Sequence, residues 1–274
     1  MKRERIVSWV ITVVLLALAF LWIYPYVWLV MSSFKPAEDI YTTFLPKRLT
    51  LEHYKFIFLM ANKFQRPFVR AFLNSLFITT TVTFSVLITS AIIGYVVSKI
   101  EFKIGKYVFN FLIYQMLFPG FMFMIPMFIL IRNLGWLNTY QALIVPSLTS
   151  SWGVFMFAQS FKTIPKDYID AAKIDGANNF WIVFRIMLPL AKSTASIVGM
   201  FTFIGTWDNF LWPLMVMKDY NRMPLSVLLA SFNHEYASYI GPVLAGAVIQ
   251  TIPMVLIFLV LRQYFLQGIS MSLR

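Results

Sequence analysis

Residues 165–190 read PKDYIDAAKIDGANNFWIVFRIMLPL, a polar, alanine-studded stretch inside a very apolar chain. Of 274 residues 59% are hydrophobic and only 12% charged, yet this stretch alone holds Lys166, Asp167, Asp170, Lys173, Asp175 and Arg185. Its local pattern is a short helix, a tight turn and a second helix. Pro165 suits a first helical turn, where its missing N–H costs nothing. Tyr168, Ala171, Ala172 and Asp175 recur at i, i+3, i+4 and i+7 and so share one face, which the two alanines leave flat for close approach by another backbone. Gly176 suits the end of that helix. Asn178 is a good N-cap for the second helix, with Phe180, Val183, Phe184 and Met187 on its apolar side and Pro189 at its end. A helix made for lipid would carry bulky apolar residues and lysines. This one presents alanines and acids, which fits a plug for a socket on a partner.

Around this insert, long uncharged runs decide the fold class. No Asp, Glu, Lys or Arg occurs in 6–34, 71–98, 107–131, 133–161 or 236–261, and 193–217 is interrupted only by Asp208. A bilayer core about 30 Å thick needs roughly 20 apolar helical residues. A mean hydropathy of +0.74 with 18% aromatics also lies outside the usual soluble range. In lipid every backbone group must be satisfied within its own segment, and these runs are far too long for barrel strands. The expectation is an all-α integral membrane protein, a single transmembrane domain over 1–274. Its spans are about 7–31, 71–98, 107–131, 139–161, 190–216 and 240–264, with the polar loop at 162–189. The first span is not a cleaved signal peptide: it is too long, contains Pro25 and is followed by KPAEDI. Pro119-Gly120 and Pro126 interrupt the third span and Pro146 the fourth. Such breaks are tolerated only against protein or a water-lined cavity. The Ser and Thr of ITTTVTFSVLITS (78–90) read as hydrogen-bonding groups for packing inside a bundle. Gly241, Ala245, Gly246 and Ala247 likewise allow close helix packing.

The net charge of +12 comes from basic residues scattered between apolar spans, which fits membrane flanking and not nucleic acid. Six spans put both termini on one side. Alternating the connections gives thirteen Lys and Arg on that side and ten opposite, seven of the ten within 35–70. The excess puts the termini in the cytoplasm. In the loop after the first span, LEHYKFIFLM (51–60) reads as a short helix on the outer membrane face, with Leu51, Tyr54, Ile57 or Phe58 on one side. With no cysteine there is no disulfide or thiolate site. His53 and His234, without partner ligands at metal spacing, read as surface residues of outer connections, and no metal site is expected. The spans hold no paired carboxylates or HExxH, and the chain has no GxxxxGK[ST] loop, so any ATP must be hydrolysed by another chain. Asp208, inside a span, is a functional candidate by its position, or else a residue near the headgroups bonded to a neighbouring helix.

IDAAKIDGANNFWIVFRIMLPL (169–190) resembles the EAA loop of ATP-binding-cassette importer permeases, where DGA begins at the third position after EAA and an apolar stretch to Leu-Pro follows. LFPGFMFMIPMFILIRNLGWLNTYQALIVP (117–146) resembles the third and fourth spans of the carbohydrate-importer branch. WDNFLWPL (207–214) is similar to its span-five signature, and AFLNSLFIT (71–79) and QYFLQGIS (263–270) fit the same group. The likeness is best to the maltose-type second permease. Asp170 stands where the motif has glutamate, and Asp208-Asn209 reverses the usual asparagine-then-acid order. The resemblance implies a six-helix type I importer permease for a sugar or oligosaccharide, in the cytoplasmic membrane of a bacterium or archaeon. Its implied partners are a second permease as heterodimer, two cytosolic ATPase subunits and an extracytoplasmic sugar-binding protein. No cofactor is implied for this chain, since the partners bind ATP. Docking to the ATPase is implied for Tyr168, Asp170, Ala171, Ala172, Asp175, Gly176 and Ala177, and a translocation-pathway role for Trp207, Asp208 and Asn209. The alternative is a self-sufficient secondary transporter or channel for a small solute, which would need coupling charges in mid-membrane or a repeated broken-helix pair.

Overall fold

The uncharged runs fold as helices, which break beside Pro119 and Pro146 but run on through Pro25 and Pro253. Pro126, expected to interrupt the third span, instead lies within a helix. The computed structural model describes residues 2–61, 67–235 and 240–272, and all regular structure among them is helical. Helix α1 (Lys2–Ser33) opens the chain. Helix α2 (Glu52–Lys55) continues as a π turn over Phe56–Met60, and α3 spans Phe68–Lys99. Helix α4 (Gly105–Met116) is followed by a tight turn at Gly120–Phe123 and by α5 (Met124–Asn133). Helix α6 (Tyr140–Ile144) ends in a tight turn at Val145–Ser147, before α7 (Ser151–Lys162). The polar loop forms α8 (Asp167–Ile174), α9 (Asn179–Ile182), a π turn at Val183–Met187 and α10 (Leu188–Leu190). Then come α11 (Lys192–Trp207), α12 (Leu211–Val216), α13 (Leu225–Glu235) and α14 (Ile240–Ser272).

Among the described residues four stretches are long and apolar enough to cross a membrane: Arg5–Ser33, Phe68–Lys99, Tyr140–Lys162 and Ile240–Tyr264. Two bent pairs raise the number to as many as six. Gly105–Met116 with Gly120–Asn133 bends by 96°, where Pro119 can donate no hydrogen bond. Asn179–Leu190 with Lys192–Trp207 bends by 89° at Ala191. The run read as one fifth span, 190–216, is divided: α11 ends at Trp207, Asp208–Phe210 leave the helix, and α12 resumes at Leu211.

Within the single domain read from sequence, contacts gather into two compact units. The first comprises Met1–Val69 and Leu228–Ile252. Here the segment after α1 turns back on itself. Ser33 Oγ meets Tyr54 Oη at 2.8 Å, Phe34 packs on Tyr54 with ring centroids 5.1 Å apart, and Ile57 is buried. Lys35 is wholly buried, its ammonium donating to Ser32 Oγ and to the Thr43 carbonyl. His53 corrects the surface expectation: it is buried, with Nε2 2.8 Å from the Lys35 carbonyl oxygen. Gly241 makes room for it, because a Cβ there would lie 2.1 Å from the imidazole. A Cβ at Gly246 would meet Leu229 at 2.3 Å, so small residues at the start of α14 do permit close approach. The helix 52–60 therefore packs its Tyr54 and Ile57 side on the chain itself, while Leu51 and Phe58 stay exposed. The His234 side chain, Lys63 and Arg66 lie outside the described residues.

The second unit comprises Arg70–Val227 and Pro253–Arg274. Its core joins Val82, Tyr95, Phe157, Phe161, Ile182 and Met187. Lipid supplies no hydrophobic drive between helices, so close packing and hydrogen bonds hold them. A Cβ at Gly94 would stand 2.8 Å from Phe157 Cβ, and one at Gly153 2.6 Å from Ser90 Oγ, which brings α3 and α7 together. Ser85 Oγ and Thr89 Oγ1 of α3 each donate to the Leu148 carbonyl at 3.0 Å, the packing role expected of the Ser/Thr-rich span. Asn74 joins three segments: Nδ2 donates to the carbonyls of Asn221 (3.0 Å) and Met223 (3.1 Å), and Oδ1 accepts from Tyr140 Oη (2.8 Å).

Candidate functional site

The polar loop is built on hydrogen bonds that the sequence announces. Helix α8 ends at Ile174 with Asp175 as its C-cap, and Gly176 takes φ +84°, a left-handed conformation in which any Cβ is strained. The Gly176 N–H bonds the Lys173 carbonyl (3.0 Å) and the Ala177 N–H the Ala172 carbonyl (2.9 Å), the paired bonds of a Schellman cap. Asn178 then caps α9, its Oδ1 accepting from the Trp181 N–H at 2.8 Å. Two contacts fasten the loop to α3. Lys99 Nζ donates to the Ile164 carbonyl at 2.7 Å, and Tyr95 Oη donates to Asn179 Oδ1 at 3.3 Å. Ile169, Ile182, Val183 and Met187 are buried in the core of the second unit, so the loop is a packed element with a fixed outer surface.

That outer surface is concave. Tyr168, Ala171, Ala172, Asp175, Gly176 and Ala177 line an open hollow of about 570 Å3, together with Asn178, Trp181 and Ile186. The hollow takes in every residue of the proposed docking set except Asp170, which is exposed in the first turn of α8. The two alanines are not equivalent. Ala171 is exposed, whereas Ala172 is only 6% exposed and packs with Ile169 into the chain's own core. Successive helical residues stand about 100° apart, so in a face written as i, i+3, i+4, i+7 the two alanines lie at opposite edges, and only one of them can turn toward the core. Sequence reasoning missed the aromatic wall. Trp181 and Phe180 stay exposed at the start of the second helix, beside Tyr168 and Ile174 on the first. Exposed large apolar side chains on a polar loop are the signal that could have marked it.

Trp207, Asp208 and Asn209 sit where α11 stops. Trp207 is buried, edge-on to Phe72 (centroids 5.5 Å) and stacked on Phe203 (5.9 Å). Asp208 is exposed at the C-cap, its N–H bonded to the Ile204 carbonyl. Asn209 accepts through its carbonyl from Ser226 Oγ at 2.8 Å. The three residues adjoin along the chain but point into different surroundings. Asn209 lines a small hollow with Thr206 and Trp212, and Trp207 and Asp208 do not. Among the described residues no three or more of His, Cys, Asp and Glu gather in a way that could hold a metal ion.

Comparison with known proteins bears on this geometry. Residues 56–271 match the family described as binding-protein-dependent transport system inner membrane component. The chain is 31% identical to the arabinooligosaccharides transport system permease protein AraQ of Halalkalibacterium halodurans, over 99% of this chain and 98% of that one. It is 29% identical to the lactose transport system permease protein LacG of Rhizobium radiobacter, again over 99% and 98%. In architecture it is similar to a chain of a bacterial ABC transporter involved in the import of the acidic polysaccharide alginate, with TM-score 0.85, 23% identity and 97% and 98% of the two chains covered. The family match over most of the length, joined to this all-helical architecture, places the chain in the binding-protein-dependent transport system inner membrane component family, as a multi-pass ABC importer permease.

Proposed function

We propose that this chain is the permease subunit of an ATP-driven importer for a sugar or oligosaccharide. It pairs with a second permease, receives sugar from an extracytoplasmic binding protein, and is driven by two cytosolic ATPase subunits. The observation that carries this reading is the 162–189 loop. It is fixed to α3 by Lys99 and Tyr95, and it presents an exposed hollow floored by alanine and glycine. A rigid surface element of that kind transmits force only if a partner seats in it. The names of the relatives, permeases for arabinooligosaccharides and lactose, support a saccharide as cargo. The loop then belongs in the cytoplasm, with both termini on the same side and residues 35–70 outside.

The two bent helix pairs do not favour a self-sufficient transporter. One folds at Leu117–Pro119 among uncharged residues, and the other at Ala191, where the loop runs into α11, so they are not two copies of one broken-helix design. Affinity purification of the tagged chain from cells expressing its neighbouring genes tests the assignment. A second permease is expected to co-purify in equal proportion to this chain, with two ATPase subunits for each copy of it. A chain that purifies alone and still transports would refute it.

A further inference from the structure

We infer that this permease contacts the passing sugar itself, in the hollow between α3, the α6–α7 junction and α11, and that the ring bound there is neutral. The inference rests on the importer reading above. At the junction Pro146 interrupts the helix, and the backbone does not become helical again until Ser151, after the extended N-cap Ser150, whose Oγ accepts from the Gly153 N–H at 3.1 Å. Non-helical backbone at membrane depth is stable only if buried in protein or lining a cavity. Here it does both. Ser85 and Thr89 take the Leu148 carbonyl on one side, and on the other Ser147 and Thr149 line an open hollow of about 370 Å3. That volume lies within the range of small-molecule sites, about 300–1,000 Å3.

The lining is suited to a saccharide. Trp152 and Phe201 supply aromatic surface, meeting edge to face with centroids 5.7 Å apart. Ser147, Thr149, Thr202 and Thr206 supply hydroxyls, each able to donate and accept. A sugar ring has the matching character, an apolar C–H face and a rim of hydroxyls. A second observation points the same way. The hollow shares Ser147 and Thr206 with a smaller one of about 20 Å3, lined also by Thr79. The Thr79 side chain is 1% exposed, and its hydroxyl has no hydrogen-bond partner among the described residues. A buried hydroxyl is costly unless something bonds it, and a polar ligand group reaching past Thr206 would do so. Among the described residues no Asp, Glu, Lys, Arg or His lines either hollow. A uronic acid carboxylate would therefore be desolvated with no cation to meet it.

Gly205 gives a clean test, because a Cβ there would meet nothing within 4 Å and the added side chain grows into the hollow. The permease–ATPase complex is purified in detergent without the external receptor, so that selectivity belongs to the permease. Equilibrium binding is measured for tritiated arabinotriose, lactose and trigalacturonate. At least one neutral sugar is expected to bind and trigalacturonate not to. Gly205→Phe is expected to weaken neutral binding by roughly tenfold or more, Gly205→Ala to leave it within about twofold, and Thr202→Val to weaken it roughly three- to tenfold through one lost hydrogen bond. Trigalacturonate bound as well as the neutral sugars, or wild-type binding by Gly205→Phe, overturns the inference. If Gly205→Phe does not assemble, wild-type binding by the near-isosteric Thr202→Val overturns it instead. A complex that binds no neutral sugar, in an importer that still transports one, removes this inference and leaves the importer reading intact. An importer that transports no saccharide removes both.

Discussion

Replacing Ala171 with leucine separates docking to an ATPase from every other use of the loop. Ala171 is exposed on the wall of a hollow of about 570 Å3, and its side chain takes no part in the chain's own core. Leucine adds three heavy atoms to that wall. If a partner seats there at backbone distance, the overpacking costs about 1–3 kcal/mol, all of it charged to the complex. Partner binding then weakens roughly 5- to 150-fold, since each 1.4 kcal/mol is a factor of ten. On a lipid-facing surface the same change would add apolar area and strengthen association by about 1 kcal/mol or more, so the two readings differ in sign. The neighbouring substitution is the control. At Ala172, 6% exposed among Ile169 and Phe161, leucine overpacks the loop's own seat on the bundle and should lower the melting temperature of the isolated chain. The assay is retention of ATPase subunit on tagged permease across a dilution series in detergent, with a thermal melt of each variant. Ala171→Leu is expected to lose ATPase at unchanged melting temperature, and Ala172→Leu to melt early. Full ATPase retention by Ala171→Leu would refute the reasoning.

Three further outcomes follow from particular contacts. Gly176→Val forces a β-branched side chain to φ +84° and should open the Schellman cap, leaving insertion normal while sugar-stimulated ATP hydrolysis falls severely; normal coupling would count against the loop. Single cysteines at Lys55 and Lys218, both exposed, should react with an impermeant thiol reagent from outside and one at Lys173 only from inside, against a background without native cysteine; labelling of position 55 only from inside would reverse the orientation. Asn74→Ala leaves the carbonyls of Asn221 and Met223 and the Tyr140 hydroxyl without their partner, which should cost about 1–3 kcal/mol of stability; an unchanged melting curve would show that water replaces the amide freely.

The features legible in the sequence were those set by local chemistry. Run length announced the membrane helices, and Pro119 announced a break that the structure shows as a bend of 96°. Gly176 and Asn178 announced a cap and a new start, and both are realised by the bonds their residue types favour. What the sequence hid depends on partners far along the chain. His53 reads as a surface residue until Gly241, 188 positions later, is seen to leave space for its ring. Lys35 reads as a loop charge, yet it is fully buried because Ser32 and Thr43 receive its ammonium. The break after Trp207 was invisible to hydropathy, since Asp208 is a single polar residue in an apolar run. Ala171 and Ala172 look alike in a helical repeat. Only the packing of Ile169 shows which of them faces inward.

Uptake by proteoliposomes tests most directly whether this chain moves sugar on energy from a docked ATPase. The chain is reconstituted with its second permease, with the ATPase included or omitted, sugar-loaded receptor outside, and ATP or a non-hydrolysable analogue inside. Accumulation of labelled neutral sugar against its gradient is expected only with both ATPase and hydrolysable ATP present, and is expected to be lost in Ala171→Leu. Accumulation that persists without the ATPase, or with the analogue in place of ATP, would contradict the account.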